Sequence, residues 1–404
     1  MAKLIRITTV PLSLDKLLGD QLKFMANYFD VTAVSSDEKK LKEVAAKYGV
    51  SHYHVEMTRQ ITPLKDLRAL WKLYRFLKRE KPAIVHTHTP KAGIIGMLAA
   101  RLAQVPHRLH TVAGMPLMET GGLKRKILDL VEIVTYKAAT KVYPNSHGLY
   151  DFIVENKYTA EHKLKVIGSG SSNGININYF SHEQIGADQT VALKKNLKIS
   201  VSDFVFIFVG RLVGHKGVNE LVEAFKGLSA SLAVNDYGDS ANEGVKKKQR
   251  VKLLLLGPLE PDLDALNTDT LAEVEKHPDI ISVGYQQDVR PYLALSNALV
   301  LPSYREGFPN VVLQAGAMEL PAIVSNINGC NEIITHHHNG LIVPVKDSIA
   351  LRHAMTQLFT DPILFSRLKQ AARPQIIEHY KQEEIWQGLL SEYREHLQND
   401  LPAS

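Results

Sequence analysis

The sequence predicts an α/β protein built from two doubly wound parallel sheets, each covered on both faces by helices. Short runs of β-branched and aliphatic residues alternate with amphipathic segments along the chain, the pattern of strands buried on both faces and joined by crossover helices. A length of 404 residues, 45% of them hydrophobic, holds apolar material for two cores of roughly 150 to 200 residues each. Between the halves, residues 176–203 (NINYFSHEQIGADQTVALKKNLKISVSD) lose strand character and turn polar.

In chain order, the strand candidates of the first half are Lys3 to Val10, Asp30 to Ser35, His52 to Val55, Ala83 to His88, Arg108 to Val112, Lys141 to Tyr143 and Lys165 to Ile167. Those of the second half are Phe204 to Val209, Val251 to Leu256, Ile280 to Val283, Ala298 to Leu301, Ala322 to Val324 and Leu341 to Val343. The expected division is a first domain over 1–185 and a second over 186–373. A terminal helical pattern, Pro374 to Gln398 within the tail 374–404, is expected to pack back on the first domain. Residues 235–250, with Gly, Asp, Ser and a KKKQR run, read as a solvated loop rather than a nucleic-acid contact.

Composition narrows the function classes. With 25 Gly and 18 Pro, and apolar runs throughout, the chain is neither disordered nor collagen-like. A single cysteine, Cys330, excludes an intramolecular disulfide and a multi-cysteine metal site, so no oxidising compartment is called for. The N-terminus has no small-residue cleavage site, and no apolar run approaches the roughly 18 residues of a membrane span. A cytoplasmic location is expected, with peripheral attachment to the inner face of the cell membrane as an extension of it. The net charge of +6 divides unevenly: residues 1–178 carry 27 Lys and Arg against 15 Asp and Glu. The first half therefore faces something anionic, such as phosphates, nucleic acid or a membrane surface.

Two strand–loop–helix segments carry chemistry. In FVFIFVGRLVGHKGVNELVEAF a buried strand ends at Gly210 and a helix begins near Gly217, leaving Arg211 and Lys216 in the loop. Ligands of open parallel sheets sit at strand carboxyl ends, where a helix N-terminus offers free N–H groups to an anion. Two cations there suit a diphosphate; simple solvation of both is the other reading. In ALVLPSYREGFPNVVLQAGAMELPAIVS the same layout puts Glu306 in the loop, with Gly307 for close backbone approach, Pro309 at the first helical turn and Asn310 onward in the helix. A carboxylate beside exposed N–H groups would hold sugar hydroxyls and a phosphate together. The bland alternative is a surface pair of Arg305 and Glu306 worth under about 1 kcal/mol.

With NGCNEII and NGLIVP, these segments resemble the C-terminal half of glycosyltransferase family 4, retaining enzymes of the GT-B fold, in which two doubly wound Rossmann-like domains face a cleft. The order GRLxxxKG, SxxEGFPNVxLxA, GxxEI and NGLIV spans about half the chain. VHTHTPKAGIIGMLAAR, HTVAGMP, VYPNSHGL and SNGIN follow the family order in the first half. Within the family the chain looks most like bacterial enzymes that extend polyprenyl-diphosphate-linked oligosaccharides. The resemblance implies that Arg211 and Lys216 bind the donor diphosphate and stabilise the departing nucleotide and that Glu306 binds sugar hydroxyls. Gly210, Gly307 and the backbone N–H groups near Phe308, Pro309 and Asn310 would line the donor site. It further implies that the leaving phosphate helps deprotonate the acceptor and that neither metal nor cofactor is required.

Two departures stand out. The family pattern has a second Glu eight residues after the first, a carboxylate that accepts from both ribose hydroxyls; this chain has Gln314 there. An amide has one carbonyl oxygen for that pair, which weakens donor binding by roughly 1 to 3 kcal/mol. Many members also carry His before the Gly of HTVAGMP, where Ala113 precedes Gly114 here.

Other residues lie at strand ends. His86 and His88 alternate, so both point to one face, as substrate contacts or as packed histidines. Asn145 and Ser146 follow the KVYP strand and are cleft candidates, and Gly114 opens a loop through Lys126 that mixes Met, Leu and cations, suited to a lipid diphosphate or simply to solvent. In LKDLRALWKLYRFLKREK, Lys65, Arg68, Lys72, Arg75 and Arg79 make one face basic, and Leu67, Leu70, Trp71, Tyr74 and Leu77 make another apolar. Such a helix lies on anionic lipid or packs on the sheet.

Three signals are discounted. Asp262 and Asp264 are expected to cap a following helix rather than bind metal. Gly168 to Asn173 lacks the third Gly of a dinucleotide fingerprint. His336 to His338 cannot easily face one ion.

The expected function is a retaining transfer of a hexose or N-acetylhexosamine from a UDP-sugar to a lipid-linked saccharide acceptor in bacterial surface glycan assembly, without nucleic acid. The alternatives are a sugar-nucleotide epimerase of the same fold, or a noncatalytic saccharide-binding scaffold.

Overall fold

The computed structural model describes residues 1–58, 60, 62–115, 117, 121–235 and 250–398. The chain forms two units, Met1–Gly174 with the segment from Gln382 onward, and Ile175–Lys381.

The first unit holds β1 (Lys3–Ile7), β2 (Asp30–Ser35), β3 (Ser51–His54), β4 (Ile84–Thr87), β5 (His107–Val112) and β6 (Lys141–Pro144), all parallel, in the order β3-β2-β1-β4-β5-β6. Side chains alternate across this sheet. Ile5, Ile7 and Val85 join a core with Leu73, Phe76 and Ile95 on one face. Leu4, Ile84 and Leu109 join another with Leu389, Leu390 and Tyr393 on the opposite face. Arg6, in register with His86, has the parity of Leu4.

The second unit repeats the winding with β7 (Phe204–Val209), β8 (Val251–Leu256), β9 (Ile280–Ser282), β10 (Ala298–Leu301), β11 (Ala322–Ser325) and β12 (Gly340–Val343), again parallel, in the order β12-β11-β10-β7-β8-β9. The strand order reverses between β1 and β4 in the first unit and between β7 and β10 in the second. In such sheets these are the places where crossovers part to opposite faces and leave a ligand crevice at the strand carboxyl ends.

Several expectations from the sequence are corrected. The boundary expected at 185/186 falls at 174/175, because Ile177, Phe180, Ile185, Leu193 and Leu197 of the polar stretch pack on the second core. Lys165 to Ile167 is not a strand. Only Leu164 bridges to Val142, the Lys165 N–H donates to the Val142 carbonyl, and Gly168 then turns the chain at φ +56°. Pro374 does not start a helix; it lies inside Pro362–Tyr380, and Lys381 breaks that helix from Gln382–Gln398. The terminal pattern thus divides, 374–381 staying with the second unit and Gln382–Gln398 covering the Arg6 face of the first. The loop expected over 235–250 lies, apart from its ends, outside the described residues.

The basic helix Pro63–Glu80 is turned relative to expectation. Ala69, Leu73, Phe76 and Leu77 are buried, while Leu64, Leu67 and Trp71 are exposed, Trp71 by 59%. Apolar residues cover a wider arc of this helix than the sheet can meet, so one stripe packs and a second, at i, i+3 and i+7, faces outward. No helix among the described residues is long and apolar enough to cross a membrane.

Candidate active site

The switch point of the second sheet gathers the charged residues. β7 ends into Gly210 and Arg211, and a tight turn, Gly214–Lys216, delivers Lys216 to the start of helix Val218–Asn235. β10 ends into a loop carrying Ser303 and Glu306, which leads to helix Asn310–Ala317. Lys216 Nζ lies 2.5 Å from Glu306 Oε1, and the Ser303 hydroxyl donates to the same oxygen at 2.8 Å. The two charged side chains are 17% and 14% exposed, so the pair is shielded yet reachable.

Close backbone approach makes this juxtaposition possible. Gly217 has φ +71°, and a Cβ there would sit 2.0 Å from the Pro302 carbonyl oxygen, just after β10. Only a glycine lets the Lys216 turn lie against the Glu306 loop. Asp264 fastens that turn from outside, accepting from the His215 backbone N–H at 2.6 Å and pairing with its Nδ1 at 2.9 Å. Asp264 lies within the short helix Pro261–Asp264, while Asn267 precedes the next helix, so the expectation that the Asp262–Asp264 pair caps a following helix is corrected. Asn328 clamps the other loop, its amide donating to the carbonyls of Glu306 and Gly307 at 3.3 and 2.9 Å. Gly329, with φ +75°, would place a Cβ 2.5 Å from the Gly307 oxygen. Ser303 and Asn328 were not singled out from sequence, and Asp264 only as a helix cap; Asn328 sits in the quoted NGCNEII run, but its clamping role depends on long-range contacts.

Arg211 is placed differently. Its guanidinium is 43% exposed and lies 3.4 Å from Glu260 in the loop after β8, a loose ion pair at the rim. Phe308 is buried against Tyr380, Pro309 precedes the helix without a side-chain cap, Asn310 is exposed at its start, and the Val312 N–H donates to the Pro309 carbonyl at 3.0 Å, which leaves the Asn310 and Val311 N–H groups of helix Asn310–Ala317 for a ligand. Gln314 is half-buried one turn further on. Cys330 lies beneath this site. Burial, with Glu306 adding and Lys216 opposing, pushes its thiol well up, so it is an inert thiol.

The first unit holds a second polar cluster, on the Arg6 face of its sheet. His86 bonds Tyr393 OH at 2.5 Å and Thr111 Oγ1 at 2.8 Å, and its ring lies 4.1 Å from that of His88. Arg6, fully buried, donates from Nε to His88 Nε2 at 2.9 Å and from Nη2 to Gln21 at 2.6 Å. Burial, reinforced by neighbouring cationic groups, holds both imidazoles well below their usual range. His86 is thus a packed histidine with both ring nitrogens bonded, and Ser146 caps helix His147–Glu155 by accepting from the Leu149 N–H. His88 and Asn145 keep unpartnered buried atoms. Gly114 follows β5, but Pro116 and residues 118–120 of its loop lie outside the described residues. Asn173 of the discounted glycine-rich run accepts from Trp386 Nε1 at 2.6 Å, and His336 Nδ1 accepts from the Ile342 N–H, both structural roles.

Two doubly wound units of parallel sheet, one with a lysine and a carboxylate paired at its switch point, have the architecture of the GT-B class. Residues 190–375 match the family described as Glycosyl transferases group 1, and residues 25–170 match the Glycosyl transferase 4-like domain. The chain is 32% identical over 392 residues to the capsular polysaccharide biosynthesis glycosyltransferase CapM of Staphylococcus aureus, covering 97% of this chain and 96% of that one. It is 30% identical over 345 residues to the UDP-Gal:alpha-D-GlcNAc-diphosphoundecaprenol alpha-1,3-galactosyltransferase of Escherichia coli, covering 83% and 81%. The crystal structure of Anabaena Alr3699/HepE with UDP and glucose shares the fold, with a TM-score of 0.78 over 98% of this chain and 100% of that one at 15% identity. The chain belongs to the group 1, family 4-like glycosyltransferases and is a glycosyltransferase, which sets aside the scaffold alternative.

Proposed function

We propose that the protein moves a hexose or N-acetylhexosamine from a UDP-sugar to a lipid-linked saccharide, with retention at the anomeric carbon, in bacterial polysaccharide or glycan assembly. The observation that carries this reading is the Lys216–Glu306 pair at the β7/β10 switch point. A donor diphosphate would draw Lys216 onto its oxygens, with Arg211 swinging from Glu260 to join it, and would free Glu306 to accept from sugar hydroxyls. The N–H groups opening helix Asn310–Ala317 would add to the phosphate site, and Gln314 would face the ribose. Two cations and a helix terminus supply the charge neutralisation that a divalent ion supplies elsewhere, so the proposed transfer is metal-independent and uses no cofactor. The E. coli relative supports the donor and acceptor classes, since its name specifies UDP-Gal and a diphosphoundecaprenol-linked GlcNAc, and the S. aureus relative, named for capsular polysaccharide biosynthesis, supports the polysaccharide setting.

The acceptor class implies work at a membrane surface. The exposed stripe of Leu64, Leu67 and Trp71 is flanked by exposed Lys65, Arg68, Lys72 and Arg75. A second exposed stripe, Leu123, Ile127 and Leu130 on helix Gly122–Ala138, accompanies Lys124 and Lys126. Both helices pack beside Pro90–Leu102 in one layer, and together they suit an anionic lipid surface on the cytoplasmic side.

The test is turnover. Purified protein given radiolabelled UDP-sugars and a polyprenyl-diphosphate saccharide in detergent should release UDP and label the lipid, with EDTA making no difference. Conversion of the donor without acceptor would favour an epimerase instead.

A further inference from the structure

At the carboxyl ends of β4 and β6, two buried polar atoms have no partner among the described residues: Nδ1 of His88 and Oδ1 of Asn145. The residues are 3% and 5% exposed, and both line one recess with Ser171, Ser172, Ile385 and Leu389. Buried polar groups are satisfied in the great majority of cases, so a convergent unpaired set points to an occupant.

The neighbours dictate what each atom offers. Arg6 Nε–H donates to His88 Nε2 at 2.9 Å, and a guanidinium cannot accept. Nε2 therefore carries the lone pair, the ring is neutral, and Nδ1 bears the proton. Arg6 is itself fixed through Gln21 Oε1 at 2.6 Å, and the Gln21 amide reaches the Ser172 carbonyl and Asn173 Oδ1, both at 3.3 Å. Asn173 Oδ1 also accepts from Trp386 Nε1, so the framework setting the tautomer extends into the C-terminal helix. The Asn145 amide nitrogen points to Ser172 Oγ at 3.4 Å, which leaves its carbonyl oxygen as an acceptor. The recess thus presents the His88 donor and the Asn145 acceptor beside the hydroxyls of Ser171 and Ser172 and the apolar side chains of Ile167, Ile385 and Leu389.

We propose that this recess seats one hydroxyl of the acceptor saccharide, which accepts from His88 Nδ1–H and donates to Asn145 Oδ1. The inference rests on the lipid-linked saccharide reading above and makes it more specific. A hydroxyl both donates and accepts. A phosphate oxygen only accepts and would meet the Asn145 oxygen unfavourably, and an ammonium only donates and would meet the His88 N–H. The site therefore favours a hydroxyl of the acceptor over an oxygen of its diphosphate, which would meet the Asn145 oxygen, and Ile385 and Leu389 are buried apolar walls of the recess. His88 and Asn145 are specificity residues touching substrate; Arg6 is a positioning residue that sets the tautomer.

The test pairs a protein change with a ligand change. Full-length wild type and Asn145→Ala are compared on a polyprenyl-diphosphate saccharide and on analogues lacking one hydroxyl each, by kcat/KM and by equilibrium binding in detergent micelles. Wild type should lose about tenfold or more on one deoxy analogue, chiefly in KM. Asn145→Ala should lose a similar factor on the parent acceptor and no longer distinguish that analogue, with its melting temperature within a few degrees of wild type. Equal losses on parent and analogue, or no deoxy analogue sensed by Asn145, would overturn the proposal and leave an ordered water in the recess. Coupling in binding without transfer would sustain this inference while defeating the transfer reading; absence of any acceptor binding defeats both.

Discussion

A Cβ placed on Gly257 would lie 1.8 Å from the carbonyl oxygen of Gly210, so the loops leaving β7 and β8 touch backbone to backbone. The contact continues as the Gly210 N–H donates to Leu256 and the Leu212 N–H to Pro258, which brings Glu260 to Arg211. Gly257→Ala must therefore separate the loops as well as strain a φ of +147°. The expected loss is about 2 to 4 kcal/mol in denaturant unfolding, with weaker UDP binding. Gly284→Ala is the control: its φ is +66°, an added Cβ meets nothing within 4 Å among the described residues, and it should cost only about 1 kcal/mol.

Gln314→Glu should tighten UDP binding by roughly 1 to 3 kcal/mol in calorimetric titration, because a carboxylate accepts from two ribose hydroxyls where an amide offers one oxygen. Unchanged affinity would mean that the ribose is held elsewhere.

Stability of the first unit should depend on pH in two opposed ways. Burial lowers His86 and His88 well below 6.5 and His110 to about 4. Their contribution is present above about 6.5 and is lost as pH falls through the folded values, because the unfolded chain binds those protons first. Burial raises Glu132 to about 7 from 4.5, so its contribution is full below 4.5 and is lost as pH rises through 7. Glu132→Gln should therefore stabilise at pH 8, by up to about 3 kcal/mol, and make little difference at pH 4.5. Thermal melts at the two pH values check the sign, and an equal effect at both would contradict it.

Flotation with liposomes addresses the outward stripe of Pro63–Glu80. The protein should float with anionic vesicles and far less with neutral ones, and Trp71→Ser should reduce flotation without altering the melting temperature, since Trp71 is exposed. Flotation independent of lipid charge would remove the basic helix from the proposal.

The β-sheets were legible because their strands are buried on both faces. FVFIFV, VKLLLL and ALVL hold no competing pattern, and the strands Phe204–Val209, Val251–Leu256 and Ala298–Leu301 run where the sequence reading put them. Lys165–Ile167 misled because a β-branched run records a preference for extended backbone but not whether a neighbouring strand continues to pair with it. Leu67 and Trp71 misled for a related reason: the helix has more apolar arc than the sheet has room to cover, and periodicity does not say which part is covered. In the site, Lys216 and Glu306 were visible as residues at strand ends, 90 positions apart in sequence yet in contact. Asp264 and Asn328, which brace their loops, act through long-range bonds to backbone, and the neutral tautomer of His88 depends on Arg6, 82 residues away. Those relationships exist only in three dimensions.

The central claim is that Lys216 neutralises the donor diphosphate while Glu306 grips the sugar. Its most direct measurement is sugar transfer from a UDP-sugar by Lys216→Ala, with folding checked by melting temperature. A fall in kcat of at least about tenfold in a folded variant is expected if the ammonium acts on the charge that develops as UDP departs. A folded Lys216→Ala protein that transfers sugar at the wild-type rate would contradict the account.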